Sequence, residues 1–449
     1  MQNLIPSTLL PVAIIGAGPI GLAAAAHLVQ RGQPFVMFEA GNSVAAHLQG
    51  YRQVQLFSPW QYNTDKAAVD LLAQAGWLTP AADVLPTAAE LVDTYLLPLS
   101  RLPSIAPYLH LNARVQAVSR QGFDKVKTRG RASAPFVLRV DMPGGVQEFH
   151  ARAVIDASGT WSQPNPLGGN GLPALGEREH ADQIRYGMPD ILGAERVRYA
   201  GKKVLVVGAG HSAAGSLIAL ASLAEQEPHT RLVWVVRGSD TTKVFGGGAA
   251  DGLPARGALG ERLRKLVDAG RLEVHLGFRI AALVQVHGAL TVMADNPDLP
   301  AVSGVDAIIG ATGARPDHHI TNELRTQHDA WLESTELLAP LIDPNEHSCG
   351  TVRPHGHREL AHPEQGFYAI GAKSYGRAPN FLMATGYEQA RSVVAAITGD
   401  MAAADQVQLD LPQTGVCSTN LAGHAPVASG SACCAIPAKG QAAKVSCCA

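Results

Sequence analysis

The chain has 449 residues, 46% of them apolar and 16% charged, which suits about three structural units and leaves room for disorder only in a local tail. Its 36 Lys plus Arg against 38 Asp plus Glu give a formal net charge of -2, so no global field favours nucleic acid or an anionic membrane. The apolar run Leu9 to Leu28 has no cationic stretch before it and is interrupted by Gly16, Gly18, Pro19 and Gly21, so it reads as strand, turn and helix rather than a leader or a membrane span. The expected compartment is the cytoplasm, where cysteines stay reduced and serve redox or metal chemistry.

From Pro11 to Glu39 a β-branched strand, a glycine turn, an Ala-rich helix and a second strand predict one βαβ unit. Gly16, Gly18 and Gly21 form GxGxxG: the first allows a tight turn, the second lets a pyrophosphate approach, and the third packs helix on strand. Pro19 belongs to the same turn, and the helix start offers amide donors and partial positive charge to phosphate. Glu39, 18 residues past Gly21, ends the second strand where a carboxylate accepts ribose hydroxyls. Residues 42 to 110 mix loops and short helices. Arg114 to Asp156 alternates like strands of a small β insertion, with Lys125, Lys127, Arg129 and Arg131 expected on a solvated hairpin face.

The βαβ pattern returns from Lys202, with Gly208, Gly210 and Ala213 as GxGxxA and with Ser212 opening the helix. Its second strand ends in Arg237 rather than an acid, and a guanidinium there suits the 2′-phosphate of NADPH. Phe245 to Gly260 reads as a Gly-rich loop, strands resume to Gly313, and Gly366 to Ile397 reads as strand, loop and helix. Beyond about residue 401 the chain turns to Ala, Gly, Pro, Ser and Cys without periodicity, as a flexible tail does. Cys349 stands alone in the body, whereas Cys417, Cys433, Cys434, Cys447 and Cys448 crowd the end. Thiolates select soft ions: trivalent arsenic takes three, mercury two, and zinc stays open. A tail of this length would span roughly 40 Å, enough to bring a bound ion to an active site.

An acid-terminated site followed by an Arg-terminated one resembles the two-dinucleotide-binding flavoproteins, with FAD first and NADPH second. The resemblance takes in Asp156 to Gly159 (DASG) and Ala311 to Gly313 (ATG) as paired crossovers between domains, and Phe367 to Gly371 (FYAIG) as a later FAD-contacting strand. It implies cofactor contacts at Gly159 and Gly313, an FAD contact at Gly371 and a backbone contact to adenine at Val115, which reads equally well as a core valine. The acid usual after the glycine is missing: Ala372 and Lys373 follow Gly371. The implied fold is α/β, with two Rossmann-like dinucleotide-binding domains and a Cys-rich tail. The FAD domain is expected over residues 1–165 and 305–400, an inserted NAD(P)H domain over 166–304, and the flexible tail over 401–449.

No CxxC or Cx4C pair occurs in the body, which counts against an ordinary thioredoxin-reductase reading. Gly176 and His180 keep the spacing of the motif that flavin-containing monooxygenases carry between their fingerprints, but Ala174, Ile184 and Tyr186 depart from its flanks. Leu56 to Asn63 (LFSPWQYN), FDKVKT and RAPNFLMATGYEQ resemble a monooxygenase-like branch associated with arsenic-resistance genes. That resemblance implies dioxygen and a small, soft substrate such as trivalent arsenic or an organoarsenical. Trp60 and Asn63 are the candidate catalytic residues, as an aromatic wall and an amide donor beside the flavin, against the plainer reading of core filler and helix cap. Asn380 and Thr385 either support the flavin from a helix start or merely cap it. The closing SCCA resembles the vicinal pair of mercuric reductases, which keeps open a reductase that passes electrons to tail thiols or a thiol-bound metal. Dimers are common in the family, so a homodimer stays open.

Overall fold

The computed structural model describes residues 10–246, 248, 254–347 and 352–409. The first unit opens with β1 (Val12–Ile15), β2 (Phe35–Phe38) and β3 (Leu109–His110), and then inserts β4 (Arg114–Arg120), β5 (Phe136–Met142) and β6 (Gly145–Ala151) before β7 (Ala153–Asp156). The second unit follows with β8 (Ile184–Tyr186), β9 (Lys203–Val207), β10 (Arg231–Val235) and β11 (Glu273–His275). After it come β12 (Ile280–Val286), β13 (Ala289–Ala294), β14 (Val302–Val305) and β15 (Ala307–Gly310), and the chain returns to the first unit with β16 (Phe367–Ala369).

Two parallel sheets result, ordered β16-β7-β1-β2-β3 and β11-β10-β9-β15-β8, each with a three-stranded antiparallel sheet beside it. Strands β1, β7, β9 and β15 are buried along most or all of their lengths, as parallel strands covered on both faces must be. The helix Pro19–Gln30 packs its alanines between the first sheet and the helix Met383–Ile397, and the helix His211–Gln226 covers the second sheet. The expected α/β architecture with paired dinucleotide folds and an antiparallel insertion is what the chain adopts. No described helix is long and apolar enough to cross a membrane.

Four expectations change. Strand β15 pairs with β9, so the second sheet runs on to Gly310, past the boundary expected at 304. Residues 254–260, read as loop from their Gly and Ala content, begin the helix Pro254–Asp268, whose buried Arg256, Gly257, Gly260 and Leu263 follow helical spacing. Residues 401–409 are not loose tail: Met401–Asp405 is helical, Asp400 caps it by accepting from Ala403 N at 3.1 Å, and Arg358 pairs with Asp405 at 2.7 Å. Arg131 leaves the solvated hairpin and is buried against Glu364 at 2.8 Å. The five thiols Cys417, Cys433, Cys434, Cys447 and Cys448, together with Cys349, lie outside the described residues.

Candidate active site

At the carboxyl end of β1 the chain turns at Gly16, whose φ of +94° and approach to the Ala157 carbonyl, 2.8 Å from where a Cβ would lie, exclude a side chain. Gly18 precedes the helix without a side-chain cap, and Pro19 takes the first helical position. The opening amides of the helix are therefore left for a ligand anion. Glu39 lies across this turn, nearly buried, with Oε2 accepting from Ala17 N and Oε1 from Gly41 N, both at 2.8 Å. These bonds aim the carboxylate at the mouth of the turn, where a ribose would meet it. Ala113 N donates to the Glu39 carbonyl at 2.8 Å and so brings the start of β4 to the same mouth. Val115, one strand pair along, buries its side chain in the β4 to β6 core.

The second mouth repeats the first. Gly208, with φ +131°, would bring a Cβ to 2.2 Å from the Ala311 carbonyl, and Trp234 Nε1 donates to its carbonyl at 2.8 Å. Gly210 precedes the helix His211–Gln226 uncapped, Ser212 is half-buried in its first turn and Ala213 is buried beneath it. Arg237, two residues past β10, is exposed at the rim and makes no ion pair among the described residues. If it binds a 2′-phosphate, Arg237→Ala raises the KM for NADPH about tenfold and leaves that for NADH unchanged, read from steady-state kinetics with each coenzyme. Equal effects on both would remove that role.

Gly159 and Gly313, both at positive φ, mark two crossovers that run side by side. Asn165 N donates to Gly313 O at 2.9 Å, and Arg315 Nε donates to Asn165 Oδ1 at 2.8 Å. The degenerate monooxygenase-like stretch lies just beyond them. There Gly176 packs against the β12 backbone at Leu283, His180 N donates to Gly176 O at 3.1 Å, and the Tyr186 hydroxyl donates to the buried Glu177.

Trp60 is packed in the first core at 5% exposure. Asn63 is buried, and its amide donates both hydrogens locally, to Ser58 O at 2.5 Å and Pro59 O at 3.0 Å. The geometry thus gives Asn63 neither a free N–H for the crevice nor the helix-capping bond of the plainer reading. Side chains near this loop that reach the second unit include Phe57, whose ring meets His211 edge-on at 5.1 Å, and Gln53, whose Nε2 donates to Met188 O at 3.1 Å, while Tyr51 stacks on Trp161 of the first crossover at 4.9 Å. Burial pushes the Tyr51 phenol up to about 12, so it remains a neutral donor at physiological pH. These contacts join residues far apart in sequence, and no local pattern announces them.

The helix Met383–Ile397 also starts without a side-chain cap, beside Ile20 of the first fingerprint helix. Neither Asn380 nor Thr385 caps it: Asn380 Nδ2 donates to Ile342 O at 3.1 Å, while its buried Oδ1 has no partner among the described residues. Uncapped amides beside an orphaned acceptor fit a ring that carries both carbonyl oxygens and an imide N–H, as a flavin does. Gly371 is buried against Ile20, and Lys373, two residues on, turns inward to pair with Asp156.

The family model described as pyridine nucleotide-disulphide oxidoreductase matches residues 13–349, which include both mouths and both crossovers. The chain belongs to that family. It is 29% identical over 206 residues to the probable indole-3-pyruvate monooxygenase YUCCA7 of Arabidopsis thaliana, a match covering 44% of this chain and 41% of that protein. The shared region is thus about two fifths of the curated relative's length. Among solved structures, the bacillithiol disulfide reductase Bdr (YpdA) from Bacillus cereus superposes with a TM-score of 0.63 at 18% identity, over 87% of this chain and 99% of that one. The FAD-bound cadaverine monooxygenase DfoA of Erwinia amylovora superposes at 0.59 and 15% identity, over 87% and 94%. Both kinds of oxidoreductase therefore share this fold. As a member of the pyridine nucleotide-disulphide oxidoreductases, the chain is an oxidoreductase.

Proposed function

We propose that this chain is an FAD-dependent, NADPH-consuming monooxygenase acting on a soft nucleophile. The observation that carries the reading is the contact of Phe57 with His211, which closes the first mouth on the second, in a chain with no cysteine before Cys349 to form a disulfide between them. Glu39 and the uncapped helix after Gly18 hold FAD, and the helix after Gly210 with Arg237 holds NADPH. FAD, when bound, relays two electrons from NADPH to dioxygen. The balance is NADPH, a proton, dioxygen and substrate in, with NADP+, water and the singly oxygenated substrate out. The protein's part is to hold the two dinucleotides face to face and to keep water from the reacting oxygen with the half-buried aromatic side chains of Tyr51 and Phe57. Trivalent arsenic, or an organoarsenical, is the substrate class that the Leu56 to Asn63 resemblance and the thiol-rich C-terminus favour, since both suit a soft centre.

The test reduces the protein with NADPH without air and then turns it over with arsenite under labelled dioxygen, following where the label goes. One labelled atom in the product per NADPH consumed supports the reading; NADPH consumption that yields only hydrogen peroxide with every arsenical and thiol offered overturns it.

The five clustered thiols favour a second reading, a reductase that passes electrons to tail cysteines or to a metal they hold, mercury included. Truncation after residue 410 separates the two, because the described fold ends at Leu409. A reductase loses turnover on truncation, whereas a monooxygenase keeps flavin reduction and loses at most substrate affinity.

A further inference from the structure

Ala372 stands directly after Gly371, where the family resemblance calls for an acid; Lys373 follows it, and its side chain is 2% exposed. Its Nζ donates to Asp156 Oδ2 at 2.6 Å and to Ser158 Oγ at 3.1 Å. Asp156 is itself fully buried at the end of β7, and its other oxygen accepts from Ser158 Oγ at 2.6 Å and Ser158 N at 3.1 Å. Both oxygens of the carboxylate are thereby satisfied by two segments at once. One segment is the DASG turn that leads to the Gly159 crossover, and the other is the Gly371–Tyr375 turn after β16. The strands that carry them are adjacent, β7 between β1 and β16, so the pair lies at the carboxyl edge beside the glycine turn at Gly16.

Backbone pairing already joins the strands, since Ile370 N donates to Asp156 O at 2.9 Å. Beyond Ile370 the later segment leaves the sheet. Gly371 N donates to Gln389 Oε1 at 2.7 Å, Ser374 Oγ donates to Gly371 O at 2.8 Å, and Gly376 N donates to Lys373 O at 3.1 Å. These bonds shape the turn but do not fix it to the DASG turn. Among the described residues, the side-chain link between the two turns is the Lys373 ammonium. It also neutralises the Asp156 carboxylate at the edge that a dianionic pyrophosphate would approach.

We propose that Lys373 is a positioning residue for FAD, tying the DASG and Gly371–Tyr375 turns into one cofactor-binding edge through its ion pair with Asp156. The inference rests on FAD occupying the first mouth. Both partners are closed off from the surface, so they act through the backbone of Ser158, Gly159 and Gly371 rather than by touching the ligand.

The experiment uses FAD-loaded full-length protein and three variants: Lys373→Met, Asp156→Asn and the double replacement. It reads FAD dissociation after dilution, the visible circular dichroism of the bound flavin and the thermal midpoint. Lys373→Met alone strands a buried carboxylate, so it is expected to lower the midpoint and to release FAD at least about tenfold faster. Asparagine at 156 can still accept from Ser158, so the double variant is expected to recover the midpoint yet keep fast FAD release and an altered flavin dichroism. Recovery of midpoint and FAD retention together would make the pair a structural filler and overturn the proposal, as would a Lys373→Met protein that holds FAD like the wild type. A wild-type protein that neither carries nor takes up FAD would overturn the cofactor reading along with this one, and that is seen before any variant is made.

Discussion

Gly208→Val is expected to slow reduction of the bound flavin by NADPH about a hundredfold while the protein stays yellow. The residue has φ +131°, and a Cβ there would lie 2.2 Å from the carbonyl oxygen of Ala311. That neighbour is backbone at the end of β15, which is hydrogen-bonded along β9, so it cannot swing aside like a flexible side chain. The turn must give instead, and it holds the helix start that would receive the coenzyme pyrophosphate. Overpacking of about 1–3 kcal/mol and backbone strain of similar size displace that mouth. A loss of about 3 kcal/mol in productive coenzyme binding is roughly a hundredfold in rate. The first mouth lies on a separate sheet and should keep its FAD. Anaerobic stopped-flow mixing with NADPH reads the result directly. A variant that is reduced at the wild-type rate would show that the second glycine turn does not bind the coenzyme, and loss of FAD along with reduction would show that the two mouths are not independent.

The two glycine turns were legible in the sequence because their signal is local: a buried strand, a turn that only glycine fits, a helix and a second strand within about 30 residues. Glu39 and Arg237 follow from the same spacing. Composition misled where it stood in for spacing. Residues 254–260 are rich in Gly and Ala yet helical, and Arg131 sits in a basic run yet is buried on Glu364. Other features depend on distant partners. Lys373 finds Asp156 across 217 positions, and Phe57 meets His211 only because two units fold toward each other. One clue to the first was in plain sight, a lysine two residues past the glycine after which an acid was due. Trp60 and Asn63 show the converse limit: residue type and loop position suggested chemistry, but packing and two amide hydrogen bonds absorb both side chains.

Glu364→Ala is expected to cost about 3–5 kcal/mol of stability, among the largest losses available to a single replacement in this chain. Glu364 is buried between two guanidinium groups, accepting from Arg120 Nε and from Arg131 at 2.8 Å each, and from Arg325 N at 3.0 Å. Arg120 also lies over the Phe136 ring at 3.6 Å and donates to Ala134 O at 2.7 Å, while Arg131 donates to Glu323 O at 2.8 Å. The carboxylate thus joins the antiparallel insertion to the segment that leads into β16. Alanine would leave two buried cations facing each other, each stripped of its counter-charge. With a few degrees lost per kcal/mol in units of this size, the thermal midpoint should fall by about 10 °C.

The pH dependence has a definite sign. Burial by itself would raise the Glu364 pKa, but the bonds from Arg325 N, Arg131 and Arg120 outweigh it and hold the group below its ordinary 4.5. A carboxylate with a depressed folded-state pKa contributes stability that is fully present above the unfolded value and is lost as pH falls through the folded one. The gap in midpoint between wild type and Glu364→Ala should therefore be constant from neutral pH down to about 5 and narrow only in stronger acid. Glu364→Gln, which keeps one acceptor but no charge, should fall between the two proteins and show no such narrowing. A gap that already closes near neutrality would assign the stability to another group, and a Glu364→Ala protein as stable as the wild type would mean that the two arginines find other partners once the carboxylate is gone.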